Sequence, residues 1–485
     1  MSLAEHDDLY LAFKSKDSRF DGRFFVGVSS TGVYCRPVCK AKTPKSENCL
    51  FFTSAAEAEQ AGFRPCLLCR PELSPGFAIV DSADSLARRA TMYLEENCAD
   101  NLSLEQIAKR LGCSDRQLRR VFAAELHITP IQYLQTCRLL LAKNLLTDSR
   151  LSITEVAMAS GFGSLRRFNV LFQKHYRTAP SLFRRKASKI NDQTSWVTVQ
   201  LGYRPPYRWR EILDFLSHRA IPCVELVKDN EYLRVAQIGG ASGTVKIADN
   251  PKQNTLKVTI SESLLPVLPQ VLARVRGLFD LYCQPTAVYE VLCAMNQLSP
   301  GLCEIGTRLP GCFDPFEISV RAILGQQITV KAAQTLAARV AEALGAPLET
   351  GIPELSRAFP SAAIFVKLGE SVEDVLGRLG VTKTRSKSVL ALARSLESGE
   401  LTLTNPVDPL EEIRKLIALP GIGEWTANYI AMRAMSWTDA FPHTDYGVMK
   451  ALAPYSPKEI LPVAKAWKPW RAYAVINLWN SLKDK

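Results

Sequence analysis

The chain has 485 residues, of which 47% are hydrophobic and 22% are charged, a balance that predicts a globular protein of about three or four domains and excludes intrinsic disorder. Its formal net charge of +12 favours a polyanionic partner, and nucleic acid before a membrane surface. The sequence contains no apolar run as long as a transmembrane helix, and its acidic N-terminal segment lacks the pattern of a signal peptide. We therefore expect a cytoplasmic protein with no membrane partner.

Four cysteines near the N-terminus predict a metal site. Cys35, Cys39, Cys66 and Cys69 follow the spacing C-x3-C-x26-C-x2-C, in which two close pairs of thiols can fold around one Zn²⁺ ion. Without further context, such spacing indicates a structural zinc ion more often than a reactive one. Because the chain contains 13 cysteines, we expect thiols and metal in a reducing cytosol, and not a disulfide framework.

The sequence around these cysteines resembles a known family. The runs TGVYCRPVC and GFRPCLLCRP are similar to the zinc module of the Ada family of bacterial adaptive-response proteins. In that family, one cysteine accepts a methyl group from a methylated DNA phosphate. The resemblance implies that Cys35 is the acceptor and that Cys39, Cys66 and Cys69 complete the zinc site. It also implies DNA contacts by Thr31, Lys40, Lys42 and Arg64.

Methylation of Cys35 would also change the charge of the surface that meets DNA. Basic residues flank the cysteines and are expected to draw phosphates toward them, namely Arg36, Lys40, Lys42, Arg64 and Arg70. Methylation of a thiolate removes one negative charge from this surface. At ~10 Å and an effective dielectric constant of about 20, each phosphate then gains roughly 1.7 kcal/mol. We therefore expect methylation of Cys35 to raise the affinity for DNA.

A helical pattern of about fifty residues is repeated between Leu102 and Arg185. Three capping boxes are predicted at the starts of helices, at Ser103-x-x-Gln106, Ser114-x-x-Gln117 and Ser152-x-x-Glu155, and Ser164 is a further N-cap candidate. Leu118, Phe122 and Pro130 recur as Phe168, Phe172 and Pro180, with glycines in the turns at Gly112 and at residues 161 and 163. Each copy is therefore predicted to be a helix-turn-helix.

The second helix of each copy carries polar side chains near its N-terminal end, where they can reach DNA bases and phosphates in the major groove. These residues are Arg116, Gln117 and Arg120 in the first copy and Arg166 and Arg167 in the second. A solvated basic face is the alternative. The run ITEVAMASGFGSLRRFNVLFQKHYRTAPSLFRR resembles the AraC family of activators. This resemblance implies a long helix through PIQYLQTCRLLLAKNLL, specific binding to promoter DNA, and RNA polymerase as a partner.

A polar segment, KASKINDQTSW, is predicted to be a linker to an α+β region. Strands are predicted from the alternating runs VTVQLGY, EYLRVAQIGGASGTVKIADN and TLKVTISES. Helices are predicted for REILDFLSHRA and LPQVLARVRGLFDL. This region contains no catalytic constellation of its own.

From Gly311 the pattern is almost entirely helical. FEISVRAILGQQITVKAAQTLAARV is one long amphipathic pattern, typical of helical structure. Residues 420 to 423, PGIG, predict a tight hairpin whose backbone N–H groups can bind a DNA phosphate, with a plain turn between helices as the alternative. Asp445 precedes an apolar helix and is either an N-cap or a catalytic carboxylate. Trp425 and Tyr429 are four residues apart and so lie on one helix face.

These C-terminal features resemble the AlkA branch of the helix-hairpin-helix DNA glycosylases, through PPYRW, VRAILGQ, LPGIGEWTANY, TDY and WKPWRAYAVINLW. The resemblance implies that Asp445 is the catalytic carboxylate and that Trp425, Tyr429 and Trp479 line the base pocket. It implies DNA contacts by Gly421 and Gly423, and a monovalent cation at the hairpin. Relatives that cut the DNA backbone carry a lysine where Trp425 stands, so strand cleavage is not expected. Gln327 stands where the family has an apolar wedge.

Together, these features predict a multidomain, mainly α protein. It comprises a zinc α+β domain (residues 1–78), an AraC-type double helix-turn-helix domain (82–187), an α+β domain (195–290) and an all-α helix-hairpin-helix glycosylase domain (300–485). The predicted function is a response to alkylated DNA in the bacterial cytoplasm, at the nucleoid. Cys35 would activate transcription after accepting a methyl group, and Asp445 would serve the release of bases such as 3-methyladenine. Two alternatives stay open: a transcription regulator with an idle glycosylase half, and a glycosylase whose zinc is purely structural.

Overall fold

The computed structural model describes residues 3–76, 86–187 and 196–482. Most of the predicted linker KASKINDQTSW lies outside these residues, as does the start of the predicted domain 82–187. The chain divides into two compact units, which are described separately. The first contains residues 1–205, 247–273 and 281–284, and the second contains residues 206–246, 274–280 and 285–485. The four domain boundaries given above remain predictions.

The first unit begins with a small four-stranded sheet. Its strands are β1 (Phe25–Val28), β2 (Val33–Cys35), β3 (Cys49–Phe52) and β4 (Arg64–Pro65), in the order β3-β1-β2-β4. β1 runs antiparallel to β2 and β3, and β2 runs parallel to β4, with Tyr34 opposite Pro65. Helices α1 (Leu3–Lys14) and α2 (Ala55–Gln60) accompany the sheet. Since β2 ends at Cys35 and β4 is followed at once by Cys66, the parallel pair brings two of the cysteines together.

The repeated region of the first unit is helical, as predicted. Its helices are α3 (Leu86–Glu96), α4 (Leu104–Arg110), α5 (Asp115–Leu126), α6 (Pro130–Asp148), α7 (Ile153–Ala159), α8 (Leu165–Tyr176) and α9 (Pro180–Ala187). The long helix predicted through PIQYLQTCRLLLAKNLL is α6. The repeated apolar residues Leu118, Phe122, Phe168 and Phe172 are fully buried, so both copies have the same kind of core.

The predicted helix starts are confirmed with one difference. Ser103 and Ser152 form complete capping boxes, in which the side chain three residues later bonds back to the backbone N–H of the serine. Ser114 and Ser164 are N-caps that accept one backbone bond. Among the described contacts, the Gln117 side chain does not complete the box predicted at Ser114. The Gly161 turn has φ of +80°, and a Cβ there would lie 2.6 Å from the Ala99 Cα, so only glycine fits.

Each unit contains an antiparallel strand pair from the predicted α+β region. In the first unit, β5 (Trp196–Gly202) pairs with β9 (Thr255–Ser261), with Val199 opposite Val258. In the second, β6 (Glu225–Lys228) pairs with β7 (Glu231–Ile238), with Leu226 opposite Leu233. β8 spans Ala241–Asn250. The predicted helices are α10 (Trp209–Ser217) and α11 (Leu268–Leu278).

The remainder of the second unit is mainly helical. Its helices are α12 (Pro285–Leu292), α13 (Pro315–Leu324), α14 (Val330–Leu344), α15 (Ala362–Leu368), α16 (Val372–Arg378), α17 (Lys383–Glu397), α18 (Pro409–Ala418), α19 (Glu424–Arg433), α20 (Tyr446–Ala451), α21 (Pro457–Val463) and α22 (Arg471–Asn480). Among the residues described, no helix combines the length and the apolar character needed to cross a bilayer.

The amphipathic pattern of FEISVRAILGQQITVKAAQTLAARV is divided between two helices. α13 ends at Leu324, and α14 starts at Val330. Gly325 caps the first helix, and the Thr329 side chain accepts a bond of 3.2 Å from the Ala332 N–H at the start of the second. Between them Gln327 has φ of +55° and is exposed. The interruption therefore places a polar side chain on a surface loop, where a continuous helix would not.

Candidate functional site

The four predicted metal ligands form one cluster in the first unit. The Sγ atoms of Cys35, Cys39, Cys66 and Cys69 all lie within 4.8 Å of one another, and the four cysteines are free of disulfides. A tetrahedral zinc ion with Zn–S bonds of about 2.3 Å needs sulfurs separated by about 3.8 Å. The residues present therefore fit a zinc ion.

Two tight turns bring each pair of thiols together. The Cys39 N–H donates to the Arg36 carbonyl at 3.1 Å, and the Arg70 N–H donates to the Cys66 carbonyl at 3.2 Å. The parallel strands then join the turns, because the Cys66 N–H donates to the Tyr34 carbonyl at 2.9 Å. The Arg36 N–H also donates to the Cys69 Sγ at 3.4 Å, a contact that favours the thiolate form.

The thiols are too close together to ionise independently. Hydrogen bonds with Cys39, Cys66 and Cys69, together with burial, raise the pKa of Cys35. Hydrogen bonds with Cys35 and Cys39 lower the pKa of Cys66. The cluster therefore distributes its protons unequally, and four thiolates can coexist there only with a cation among them.

Exposure does not single out Cys35 as the acceptor. Its side chain is 6% exposed, Cys66 is 9% exposed, and Cys69 is only partly buried. Thr31, Lys40 and Lys42 are exposed, and Arg64 is partly buried. These four are therefore available for the DNA contacts that the sequence predicts.

Two of the five flanking cations have other partners, which the sequence did not reveal. Arg36 is buried against Asp21, and its Nε donates to Asp21 Oδ1 at 2.9 Å. Arg70 forms ion pairs with Glu72 at 2.9 Å and with Asp148 at 2.7 Å. Their charges are neutralised within the fold, so the positive charge available to phosphates comes mainly from the lysines and Arg64.

The helix-turn-helix side chains lie where the sequence predicts. Arg116, Gln117 and Arg120 are exposed in the first two turns of α5, and Arg166 and Arg167 are exposed in the first turn of α8. Beside them, Arg119 forms an exposed ion pair of 3.6 Å with Asp115. Each helix therefore presents a basic N-terminal end to solvent.

The second unit contains a cavity of about 1110 Å³ that gathers the predicted base-pocket residues. Trp425, Tyr429, Trp479, Asp445 and Gln327 all line it, as do the hairpin glycines Gly421 and Gly423. These residues come from four separate segments of the chain.

Asp445 is both an N-cap and a cavity carboxylate. Its Oδ1 accepts from the Trp479 Nε1–H at 2.8 Å and from the Val448 N–H of α20 at 3.1 Å. Its Oδ2 accepts from the Trp425 Nε1–H at 3.0 Å. The two indoles and the helix therefore hold the carboxylate in one orientation beside the aromatic walls.

Aromatic rings form the walls of the cavity. Trp425 and Tyr429 stack with centroids 5.4 Å apart and an interplanar angle of 21°, and Tyr429 lies 6.4 Å from Trp479. Phe215 stacks on Trp479 at 6.1 Å and 15°. A planar and electron-poor base would find π faces on these walls.

Arginines near these rings were not identified from the sequence. Arg219 lines the cavity with its guanidinium 3.9 Å from the Phe215 ring, and Arg433 Nη1 donates to the Tyr429 hydroxyl at 2.8 Å. Burial raises the pKa of Tyr429, but the charges of Arg433, Arg219 and Arg321 outweigh it, and the net shift is downward. Arg219 belongs to a run predicted only as a helix of the α+β region, so its sequence gave no signal of a role in the cavity.

The hairpin and the Gln327 loop are tied together. Gly421 has φ of +77°, and a Cβ there would lie 2.3 Å from the Ser388 Oγ. Gln326 Nε2 donates to the Gly421 carbonyl at 2.9 Å and to the Thr426 Oγ1 at 3.0 Å. Gln326 therefore positions both the hairpin and the neighbouring Gln327, a role that sequence reasoning missed.

Models of known families match three regions of the chain. Residues 8–72 match the metal binding domain of Ada, residues 107–186 a helix-turn-helix domain, and residues 198–314 the AlkA N-terminal domain. With the four-cysteine cluster, the first match confirms the prediction of a zinc ion.

Individual relatives cover either the whole chain or one part of it. A Mycobacterium tuberculosis protein named probable bifunctional transcriptional activator/DNA repair enzyme AlkA is 34% identical over 99% of this chain and 97% of its own length. The Escherichia coli DNA-3-methyladenine glycosylase 2 is 38% identical over 58% of this chain and 95% of its own length. The solved 3-methyladenine DNA-glycosylase from Archaeoglobus fulgidus is 19% identical with a TM-score of 0.51, and covers 59% of this chain and 98% of that protein. This last likeness concerns the fold alone.

Proposed function

Because this chain belongs to the family of bifunctional transcriptional activators and DNA repair enzymes of the AlkA type, we propose that it answers DNA alkylation through two separate sites. The second unit releases alkylated bases such as 3-methyladenine, and Asp445 is its catalytic carboxylate. The first unit accepts a methyl group on Cys35 and then activates transcription. The observation that carries the proposal is the Asp445 carboxylate held by two indoles in an aromatic cavity beside the hairpin.

The cavity residues support base release without strand cleavage. A nucleotide turned out of the duplex would place its cationic base against Trp425, Tyr429 and Trp479, where cation–π contact stabilises it. The glycosidic bond then breaks, the bonding electrons leave with the base, and the Asp445 carboxylate stabilises the positive sugar that remains. Water adds to the sugar and completes the hydrolysis. Trp425 has no amine that could form a Schiff base, so the DNA backbone remains intact.

The thiol cluster supports methyl transfer at Cys35. A bound zinc ion would keep the four sulfurs in the thiolate form. The Cys35 sulfur attacks the methyl carbon of a methylphosphotriester, a C–S bond forms, and the C–O bond breaks with its electrons left on the phosphate. Cys35 is chosen over the other three cysteines through the resemblance to the Ada family, with Thr31, Lys40, Lys42 and Arg64 as DNA contacts.

The helix-turn-helix residues support a function in which methylation of Cys35 leads to promoter binding. Arg116, Gln117 and Arg120 of α5 and Arg166 and Arg167 of α8 are the DNA-reading side chains of this proposal. RNA polymerase is the partner through which a bound activator would act. The site of action is the bacterial cytoplasm, at the nucleoid.

The test of the glycosylase assignment is Asp445→Asn. An asparagine can still cap α20 but has no charge, so we expect base release from methylated duplex DNA to fall by at least about a hundredfold. Asp408→Asn is the matched control, since Asp408 also caps a helix, with bonds to the Leu410 and Glu411 N–H groups, and does not line the cavity. Equal release by wild type and Asp445→Asn would refute this assignment, and no release by wild type would favour a regulator with an idle half.

The test of the acceptor assignment is peptide mass spectrometry after incubation with DNA that contains methylphosphotriesters. We expect one added methyl group, on the peptide with Cys35, and none in Cys35→Ser. Cys113→Ser is the control, because Cys113 lies outside the cluster. A methyl group on Cys69 instead would move the acceptor, and no methyl group on the cluster would make the zinc purely structural.

A further inference from the structure

Tyr446 occupies an unusual position beside the cavity. It follows Asp445 directly, lines the same cavity, and is 76% exposed. Consecutive Cα atoms are about 3.8 Å apart, so DNA that presents a sugar to the Asp445 carboxylate comes close to the backbone that carries Tyr446. Among the residues that line the cavity, Tyr446 therefore offers an exposed aromatic ring next to Asp445.

The backbone at Tyr446 is well fixed. The Asp445 side chain caps α20, and Val448 is fully buried. The next residue, Gly447, packs so closely that a Cβ there would lie 2.7 Å from the Trp479 Cδ1. Only the side chain of Tyr446 remains to be ordered on contact with DNA, which keeps the entropic cost of that contact low.

The chemistry of the surrounding residues indicates what the ring would do. A nucleotide turned out of a duplex leaves a gap, and its neighbours lose a stacking partner. Proteins often fill such gaps with apolar side chains. Gln327, the exposed residue on the α13–α14 loop, offers only a polar amide. Among the described residues that line this cavity, Tyr446 is the exposed aromatic side chain, and its ring can replace the lost stacking.

We propose that Tyr446 is a DNA-stacking residue, whose ring packs against a base beside the emptied position while the damaged nucleotide faces Asp445. This inference rests on the base-releasing function proposed for the same cavity. Tyr446 acts through the DNA duplex and takes no part in breaking the glycosidic bond.

The test uses the full chain and a duplex with one tetrahydrofuran abasic-site analogue, with 2-aminopurine as the adjacent base. We expect Tyr446→Ala to weaken binding to this duplex about tenfold, the scale of one lost base–aromatic stack. Tyr446→Phe keeps the ring and should bind within about twofold of wild type. Wild type and Tyr446→Phe should also quench the 2-aminopurine fluorescence, and Tyr446→Ala should not.

A matched control is Tyr455→Ala, since Tyr455 is also an exposed tyrosine, at 40%, but does not line the cavity. It should behave as wild type. Wild-type binding by Tyr446→Ala, or a loss in Tyr446→Phe as large as that in Tyr446→Ala, would overturn the inference, the second because it would assign the contact to the hydroxyl. Base release by wild type from methylated DNA is measured in parallel, so that failure of the proposed function is seen separately from failure of the stacking role.

Discussion

Cys35 and Cys39 are held by one turn and Cys66 and Cys69 by another, whereas Asp445 depends on indoles 20 and 34 residues away in sequence. Within each cysteine pair the arrangement is local, and the two pairs are visible in the sequence as a spacing of cysteines, although parallel strands are needed to join them. The Asp445 carboxylate bonds to other segments and to its own helix, and nothing in its immediate sequence distinguishes a catalyst from a helix cap. The zinc module and the cavity thus differ in what holds the proposed reactive group: a metal ion in one and packed aromatic rings in the other.

Loss of the metal should have the largest effect. Cys66→Ala removes one ligand, and we expect zinc content to fall from about one ion per chain to near zero, since structural zinc contributes about 10–16 kcal/mol to folding. The core of the module packs on the cysteines through Phe13, Phe24 and Val26, so the module should unfold and Cys35 should accept no methyl group. Base release should persist, because the cavity lies in the other unit.

Metal analysis and base release, measured on the same preparation, check this prediction. Cys113→Ala, outside the cluster, serves as the control and should retain one zinc ion. A Cys66→Ala protein that still bound zinc and accepted methyl groups would show that the site does not need all four cysteines.

Glu59 connects the zinc module to α6, and its raised pKa predicts that the stability of the protein depends on pH. Its carboxylate accepts from the Tyr34 hydroxyl at 3.0 Å and the Thr136 hydroxyl at 3.2 Å. Other polar or charged groups that face it are His175, Tyr176 and Lys143. Burial raises the pKa of Glu59 to about 7, although the hydrogen bonds oppose the shift. The folded state therefore holds this proton more tightly than the unfolded state, where the pKa is about 4.3.

The sign follows from proton linkage. The folded state binds more protons between pH of about 4.3 and about 7, so this group's contribution to stability is fully present below that window and is lost as the pH rises through it, by up to about 4 kcal/mol. Glu59→Gln should remove this pH-dependent contribution to stability. The variant should therefore be more stable than wild type above pH of about 7. Denaturant unfolding of the full chain at several pH values provides the measurement.

Glu72 provides a matched contrast. Burial alone would raise its pKa, but Lys143 and Arg70 have the larger effect, and the net shift of the pKa is downward. Glu72→Gln should therefore destabilise the protein most at neutral pH. The same pH slope in wild type and Glu59→Gln would show that Glu59 is not the source.

Methylation of Cys35 should change the affinity of the protein for DNA, and it should do so without any contribution from the cavity. Removal of one charge near two or three phosphates predicts an increase of at least about a hundredfold at low ionic strength. The gain should shrink as salt is added, because salt screens the repulsion between the Cys35 thiolate and the phosphates that methylation removes.

The measurement compares methylated and unmethylated protein on one duplex at low and at physiological salt. Cys35→Ser carried through the same methylation should show no gain. Equal affinities of the methylated and unmethylated wild-type proteins at both salt concentrations would show that the charge of Cys35 does not control the affinity for DNA.

The two regions also differ in how far the sequence predicted them. The two close cysteine pairs and the caps at Ser103 and Ser152 follow from spacing of a few residues, and the long helix α6 follows from the resemblance to the AraC family. The structure agrees with all of them. The break at Gln327 was missed because the apolar period continues through it. Asp21, which neutralises Arg36, and Arg219, which enters the cavity, are brought in by tertiary packing. Their local sequence contains no signal of those contacts.

The smallest expected effect concerns the indoles that hold Asp445. Trp479→Phe keeps an aromatic ring against Phe215 but removes the 2.8 Å bond to Asp445 Oδ1. A hydrogen bond to a charged group contributes about 1.5–3 kcal/mol, so base release should slow by roughly ten- to a hundredfold. Trp437→Phe is the control, since Trp437 does not line the cavity. The loss should appear in the single-turnover rate, and binding to an abasic duplex should change little, because such a duplex carries no base that could stack on the indole. A loss confined to the binding of methylated DNA would mean that Trp479 acts as a base platform only, and the contrast between a metal-held and an indole-held reactive group would then rest on Trp425 alone.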